Sequence, residues 1–209
     1  MKITMKSKIT FDEVGTHIDW ELAGVTPLQL DWFWSNMDKA DYLWHPNQHN
    51  GFEWFISPQE QGGIEGTIHI APQTWGNGIP MKIYIRAEKL EDVPQKVRQY
   101  LKYDHAIIVA GISLTGENVH PDDSALGYRL HQWQATDEGV VGMSSAIEMK
   151  ENDAGDGKIW AEHASEEVGN WEVFLPTLWK LYQVITREDI CPCYSLKIEG
   201  TGIEAKYAK

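Results

Sequence analysis

Cysteine, long apolar runs and a secretion signal are scarce or missing in this chain of 209 residues. Its two cysteines, Cys191 and Cys193, are separated only by a proline, so a disulfide between them would be strained. This excludes a disulfide framework and fits a reduced compartment. Residues 1–6 lack the apolar core of a signal peptide, and the longest apolar run, residues 106–112, is too short to span a bilayer. We therefore expect a cytoplasmic protein without a membrane partner.

Basic charge is also in short supply. The chain has 18 Lys and Arg against 31 Asp and Glu, which gives a formal net charge of −13 at pH 7. Such a surface repels phosphate backbones, so nucleic acid is excluded as a partner. Tryptophan and tyrosine are abundant by contrast, at 10 and 8 residues, and indicate a thick core or a pocket with flat walls. The length predicts one domain spanning residues 1–209.

The hydrophobic pattern predicts an α+β fold. Thr26 and Pro27 are typical of a helix start, because threonine caps the first turn and proline is favoured at its first position. The strongest helical pattern covers residues 163–186, with a kink or break expected at Pro176. Other predicted elements are a helix over residues 91–103 and strands over residues 6–20, 66–71, 81–86, 106–110, 128–134, 140–149 and 194–198. A curved antiparallel sheet around a long C-terminal helix would enclose a cavity suited to the aromatic content.

Two histidines, His45 and His49, are four residues apart in a polar segment. On a helix both imidazoles would lie on one face, where neutral histidines can chelate zinc. The alternative is a surface loop in which two of eight histidines meet by chance.

His163 and Glu167 repeat this spacing, and Glu166 offers a second carboxylate. Carboxylates at the start of a helix also have a structural explanation, since they stabilise its first turn. That explanation does not account for a histidine on the same face as Glu167. The two pairs together supply three imidazoles and a carboxylate, enough to hold a metal ion with a position left open for water or substrate.

His120 and His131 are further candidates. His131 shares its predicted strand face with Arg129 and Trp133, and a histidine facing a cavity could act as an acid or stabilise a developing oxyanion. Taken alone, each is better explained as a structural histidine with one hydrogen bond. Other signatures are absent from the sequence: it has no glycine-rich phosphate loop, no Gly-x-Ser-x-Gly elbow and no His-Glu-x-x-His zinc helix.

Several short motifs resemble those of the diacetylphloroglucinol hydrolase and phloretin hydrolase family. They are Trp32-Phe33-Trp34, then Tyr42-Leu43-Trp44-His45-Pro46 with His49, and late in the chain His163-x-x-x-Glu167 followed by Phe174-Leu175-Pro176. The resemblance runs from about residue 32 to residue 182. It implies a Bet v 1-like helix-grip fold, a zinc ion in the cavity, and hydrolysis of the carbon–carbon bond between an acyl group and a phenolic ring.

Residue by residue, the resemblance implies that the metal ligands are His45, His163 and Glu167. It also implies catalytic roles in the pocket for His120 and His131, and places Gln48 near the substrate ring. The family has a further glutamate ligand in the region that corresponds to residues 69–75, which contains no carboxylate here.

The fourth ligand therefore stays open, and the candidates are His49, Gln73 and Glu65. The leading hypothesis is a zinc-dependent hydrolase of acyl phenols. The alternatives are a non-catalytic binding protein for flat aromatic ligands, and another metalloenzyme, such as a lyase or cyclase, on the same fold. Aromatic-rich strands would also suit a homodimer.

Overall fold

The computed structural model describes residues 5–148 and 154–208. Its main feature is one eight-stranded sheet in which all neighbouring strands are antiparallel, in the order β1-β2-β8-β7-β6-β5-β4-β3. The strands are β1 Lys6–Phe11, β2 Gly15–Ala23, β3 Glu53–Ile56, β4 Ile68–Thr74, β5 Pro80–Ala87, β6 His105–Ser113, β7 Gly127–Ala135 and β8 Gly139–Glu148. The predicted β7–β8 hairpin is confirmed, whereas residues 6–20, predicted as one strand, form two.

The α-helices are α1 Pro27–Ser35, α2 Asp41–Trp44, α3 Pro58–Gln61, α4 Gln95–Arg98 and α5 Ala154–Tyr182. Helix α1 starts where the sequence predicts. The Thr26 side chain accepts a hydrogen bond from the backbone of Gln29, whose own side chain accepts one from Thr26 in return. This capping box and Pro27 fix the first turn, and the helix then buries Trp32, Phe33 and Trp34.

Helix α5 is longer than predicted. It begins at Ala154 rather than at residue 163, and it continues as one helix through Pro176 to Tyr182. Early glycines and an internal proline disfavour a helix locally, but packing on the sheet outweighs such preferences. Glu166 and Glu167 therefore lie in the middle of the helix, and stabilisation of a first turn cannot explain them.

The inner core lies between α5 and the sheet. Helix α5 packs against β2, α1 and α2, and the largest fully buried side chains include Trp20, Trp32, Trp133 and Trp171. The fold prediction of a large antiparallel sheet with a long C-terminal helix is confirmed.

A second apolar cluster covers the other face of the sheet. Leu90, Val97 and Leu101 pack there with Ile198 and Ala205. The helix predicted over residues 91–103 is reduced to a 3-10 turn, Leu90–Asp92, and to α4, because Pro94 has no N–H to donate to a continuous helix. The predicted closing strand is only β9 Ile198–Glu199, paired with β10 Lys206–Tyr207.

The cysteines and the apolar character of the helices can also be described. Cys191 and Cys193 are both free thiols, as expected from their spacing. Within the described residues, no helix is both long and apolar enough to cross a membrane.

Candidate metal centre

Three buried side chains bring potential metal ligands together. His49 lies in the turn after α2, while His163 and Glu167 lie one turn apart on α5. One ligand atom from each lies within 4.8 Å of the other two. Glu167 Oε1 is 3.2 Å from His49 Nε2 and 3.1 Å from His163 Nε2. The group could hold a metal ion.

The hydrogen bonds on the far side of each imidazole orient both rings toward Glu167. His163 Nδ1 lies 2.8 Å from Gln48 Oε1, and His49 Nδ1 lies 3.1 Å from both the backbone oxygen and Oδ1 of Asp41. All of these oxygens accept, so each Nδ1 must carry the proton it donates. Each Nε2 then faces Glu167 Oε1, the arrangement typical of histidines that bind metals through Nε2.

The electrostatics of the group favour a positive charge. Burial lowers the pKa of His49, but its bonds to Asp41 and Glu167 outweigh burial and raise that pKa to about 10. Burial likewise opposes ionisation of Glu167, yet the charges and hydrogen bonds of His163 and His49 hold its pKa well below the usual range. The ionised carboxylate is thus matched by positive charge on the imidazole side, and a metal ion held by the same atoms could supply that charge in place of a proton.

His45 is not brought into this group. Helix α2 ends at Trp44, so the spacing of four between His45 and His49 does not place both rings on one helix face. The His45 ring is fully buried and stacks on His163, with ring centres 4.6 Å apart, and neither of its nitrogens has a hydrogen-bond partner among residues 5–148 and 154–208. Its Nε2 is 3.6 Å from Glu166 Oε2. The sequence ranked His45 ahead of His49 as a ligand, and the geometry reverses that order.

The other two candidates for the fourth ligand differ in position. Gln73 lies at the site, with its Nε2 3.1 Å from His49 Nε2, but its Oε1 accepts a 2.6 Å hydrogen bond from Trp75. The amide therefore turns its nitrogen, which cannot ligate a metal, toward the group. Glu65 is remote from the group, because its carboxylate is hydrogen-bonded to the backbone of Leu90.

A cavity of about 250 Å³ opens beside the group, and His163 and Glu167 form part of its wall. Trp34, Trp44, Trp75 and Trp160 contribute flat apolar surface. Trp44 is itself held in place by stacking on Trp171, with ring centres 5.5 Å apart and planes inclined by 17°. The predicted aromatic-walled cavity is present.

His131 lies on the cavity wall. Its Nδ1 is hydrogen-bonded to Ser144 Oγ at 2.9 Å, and that oxygen also accepts a hydrogen bond from Trp20 Nε1. Burial lowers the pKa of His131 to about 4, which leaves the imidazole neutral at neutral pH. A neutral imidazole can donate a hydrogen bond or accept a proton.

The remaining predicted residues are placed differently. His120 is exposed in the connection between β6 and β7, where its backbone N–H donates to Asp123, and it does not line the cavity. Gln48 does not line the cavity either, and it contacts His163 instead of a bound ring. Gln48 is therefore placed to orient the His163 ring.

Asp41 is the residue that sequence reasoning missed. It is buried, contacts His49 and lines the cavity. Burial raises the pKa of its carboxyl group, and the hydrogen bond to His49 acts in the opposite direction. The spacing of four between Asp41, His45 and His49 was a signal that could have identified it.

Comparison with known proteins shows similarity in fold alone. No family model matches this chain, and no curated protein does. Among solved structures, protein Ms6760 from Mycobacterium smegmatis is 12% identical with a TM-score of 0.56, covering 81% of this chain and 95% of that one. A protein from Rhodobacter sphaeroides is 14% identical with a TM-score of 0.53, over 83% and 99%. One from Arthrobacter aurescens is 10% identical with a TM-score of 0.50, over 82% and 93%. The helix-grip architecture is shared, and these matches do not support the resemblance to the hydrolase family.

Proposed function

We propose that this protein is a zinc-dependent hydrolase that cleaves the carbon–carbon bond between an acyl group and a phenolic ring. The observation that carries the proposal is the convergence of His49 Nε2, His163 Nε2 and Glu167 Oε1 at the wall of an aromatic cavity. A cation site and a flat-walled cavity together suit a planar substrate with an oxygen near the metal.

Two histidines and one carboxylate form a ligand set typical of catalytic zinc, which keeps a position open. When bound, the ion would supply Lewis-acid stabilisation of the negative charge that develops on substrate oxygen. Ferrous iron also binds such a set, so identification of the metal is part of the test. Asp41 and Gln48 hold the two imidazoles in the orientation that ligation requires.

The proposed reaction consumes one water molecule. The hydroxyl of the water joins the acyl carbon, the bond between that carbon and the ring breaks, and a proton is added to the ring carbon. The products are a carboxylic acid and the deacylated phenol.

His131 is the described group best suited to move this proton. Neutral at neutral pH, it can take a proton from the attacking water. Burial makes the resulting imidazolium a strong acid, able to deliver the proton to carbon. His120, which the sequence also nominated, is exposed and outside the cavity, so we assign it no part in the reaction.

The test compares two neighbouring glutamates on α5. Glu167→Gln removes a ligand of the group, whereas Glu166→Gln makes the same change at a partly exposed residue outside it. We expect zinc in the purified protein and acid release from acylated phloroglucinols, both lost in Glu167→Gln and retained in Glu166→Gln. Full metal occupancy in Glu167→Gln would refute the ligand assignment.

The alternatives give different outcomes in the same assays. A protein without metal that still binds flat aromatics would be a binding protein. A zinc protein that releases no acid from acyl phenols would be another type of metalloenzyme, and bound iron would direct attention to oxidative chemistry.

A further inference from the structure

His69, on β4, is a polar residue in the cavity that the proposed reaction does not use. It is 6% exposed and forms part of the cavity wall. Its ring stacks on Phe52, with centres 5.3 Å apart and planes at 16°, and contacts the edge of Trp54. No residue within 5–148 or 154–208 hydrogen-bonds its ring nitrogens. Aromatic packing therefore orients the ring and leaves its polar atoms for a bound molecule.

On the cavity wall that contains His69, two positions on neighbouring strands have no side chain. Strand register places His69 opposite Ile85, Ile85 opposite Gly111, and Gly111 opposite Gly127. Both glycines line the cavity. A Cβ added at Gly111 would meet only Ile83 Cγ2, at 3.8 Å, so this surface borders open space. Two adjacent glycines on neighbouring strands form a floor on which a planar ring could lie.

The charge state of His69 suits a neutral partner. Burial and the nearby charge of His49 lower the pKa of His69 to about 3. The neutral imidazole has one donor and one acceptor nitrogen. It can therefore pair with a hydroxyl or carbonyl oxygen, and an apolar substituent would leave its nitrogens unpartnered.

We propose that His69 determines ligand specificity by hydrogen-bonding an oxygen substituent of a flat ring that lies over Gly111 and Gly127. The class of ligand rests on the proposed function, in which the ring is an acylated phenol. The metal group at Glu167 receives one oxygen of the ring, and His69 receives another. The cavity then selects rings with at least two oxygen substituents.

The experiment measures binding to the full-length protein by quenching of tryptophan fluorescence, since several tryptophans line the cavity. The probes are 1,3-dihydroxynaphthalene and 1,3-dimethylnaphthalene, which have similar size and differ in hydrogen bonding. We expect His69→Leu to lower the affinity ratio of the dihydroxy to the dimethyl probe about tenfold, the factor that corresponds to 1.4 kcal/mol. His69→Gln, which keeps a donor and an acceptor, should restore part of the ratio.

Two further variants locate the effect. Gly111→Val should weaken both probes, because it fills the floor of the cavity. His120→Leu should change neither, because His120 is exposed outside the cavity. Melting temperatures confirm that each variant is folded.

An unchanged ratio in folded His69→Leu overturns the assignment, and so does failure of the wild-type protein to bind either probe. Absence of zinc or of acid release would defeat the proposed hydrolase alone. The response of the ratio to His69→Leu would still decide the role of His69.

Discussion

Asp41 Oδ1 lies 3.1 Å from His49 Nδ1, and the backbone oxygen of Asp41 lies at the same distance from that nitrogen. This double contact fixes which nitrogen of His49 carries hydrogen. It makes the orientation of a proposed metal ligand depend on a carboxylate that is not itself in the ligand group.

We expect Asp41→Ala to weaken zinc binding about 10- to 100-fold, the usual effect of removing such a partner of a ligating histidine. Competition with a chromophoric chelator measures the affinity. Asp38→Ala is the control, because Asp38 belongs to the same segment but pairs with Lys39. Equal affinities of Asp41→Ala and wild-type protein would show that His49 does not need this support.

His45 offers a test in the opposite direction. Within the described residues, both of its ring nitrogens are buried without a hydrogen bond, a state that costs about 1–3 kcal/mol per group. His45→Leu should therefore raise the free energy of unfolding of the metal-free protein by about 1 kcal/mol, measured by urea denaturation with EDTA present. If the variant is destabilised and also loses zinc, His45 belongs to the ligand set after all.

The sequence predicted the types of residue at the candidate site better than their arrangement. His163 and Glu167 were predicted as a pair because residues four apart on a helix lie on the same face. His45 was ranked above His49 because the family resemblance implied it as a ligand, and the spacing rule does not hold across Pro46, where the chain turns. His120 was given a cavity role that depends on the path of the β6–β7 connection, which residue spacing does not define.

The cap of α1 provides a prediction about stability. Thr26→Ala removes the hydrogen bond that the Thr26 side chain accepts from the Gln29 backbone and should cost about 1 kcal/mol of unfolding free energy. Ser57→Ala removes the equivalent bond from α3, a single exposed turn, and should cost less. Equal losses in urea denaturation would indicate that the α1 cap adds nothing beyond its local hydrogen bond.

Asp12 and Tyr100 predict a pH dependence at two extremes. Partial desolvation opposes ionisation of the largely exposed Asp12, but hydrogen bonds from Tyr100 and Val14 outweigh it and lower its pKa to about 2. Burial and the bond to Asp12 raise the pKa of Tyr100 to about 12. The aspartate's contribution to stability is complete above about pH 4 and is lost as pH falls toward 2, and the tyrosine's is complete below about pH 10 and is lost toward 12.

Denaturant unfolding across this pH range checks the pair. Because Asp12 is exposed, the contribution at neutral pH should be at most about 1 kcal/mol. Tyr100→Phe should abolish the loss of unfolding free energy at high pH and reduce the loss at low pH. Glu13→Gln, at an exposed neighbouring residue, should change neither loss. An alkaline loss that persists in Tyr100→Phe would have to come from another group.

The fold predictions that succeeded rest on sequence features within a single helix start or hairpin. The Thr26–Pro27 start and the β7–β8 hairpin are local features, and both are confirmed. The start of α5 was misplaced because its first turns contain Gly155 and Gly157, which disfavour a helix until the sheet is present to pack against. The contact of β2 with β8, which pairs Gly15 with the distant Ile147, could not be anticipated from spacing.

The residues around β9 and β10 complete the apolar cluster on the outer face of the sheet. Ile198 and Ala205 cover Leu130, Met143 and neighbouring apolar side chains that point away from the cavity. A chain shortened before β9 would keep every residue of the metal group yet leave one side of its sheet uncovered, and apolar sheet faces of this kind promote association. Tags and fusions at the C-terminus should therefore be joined through a linker that leaves β9 and β10 docked.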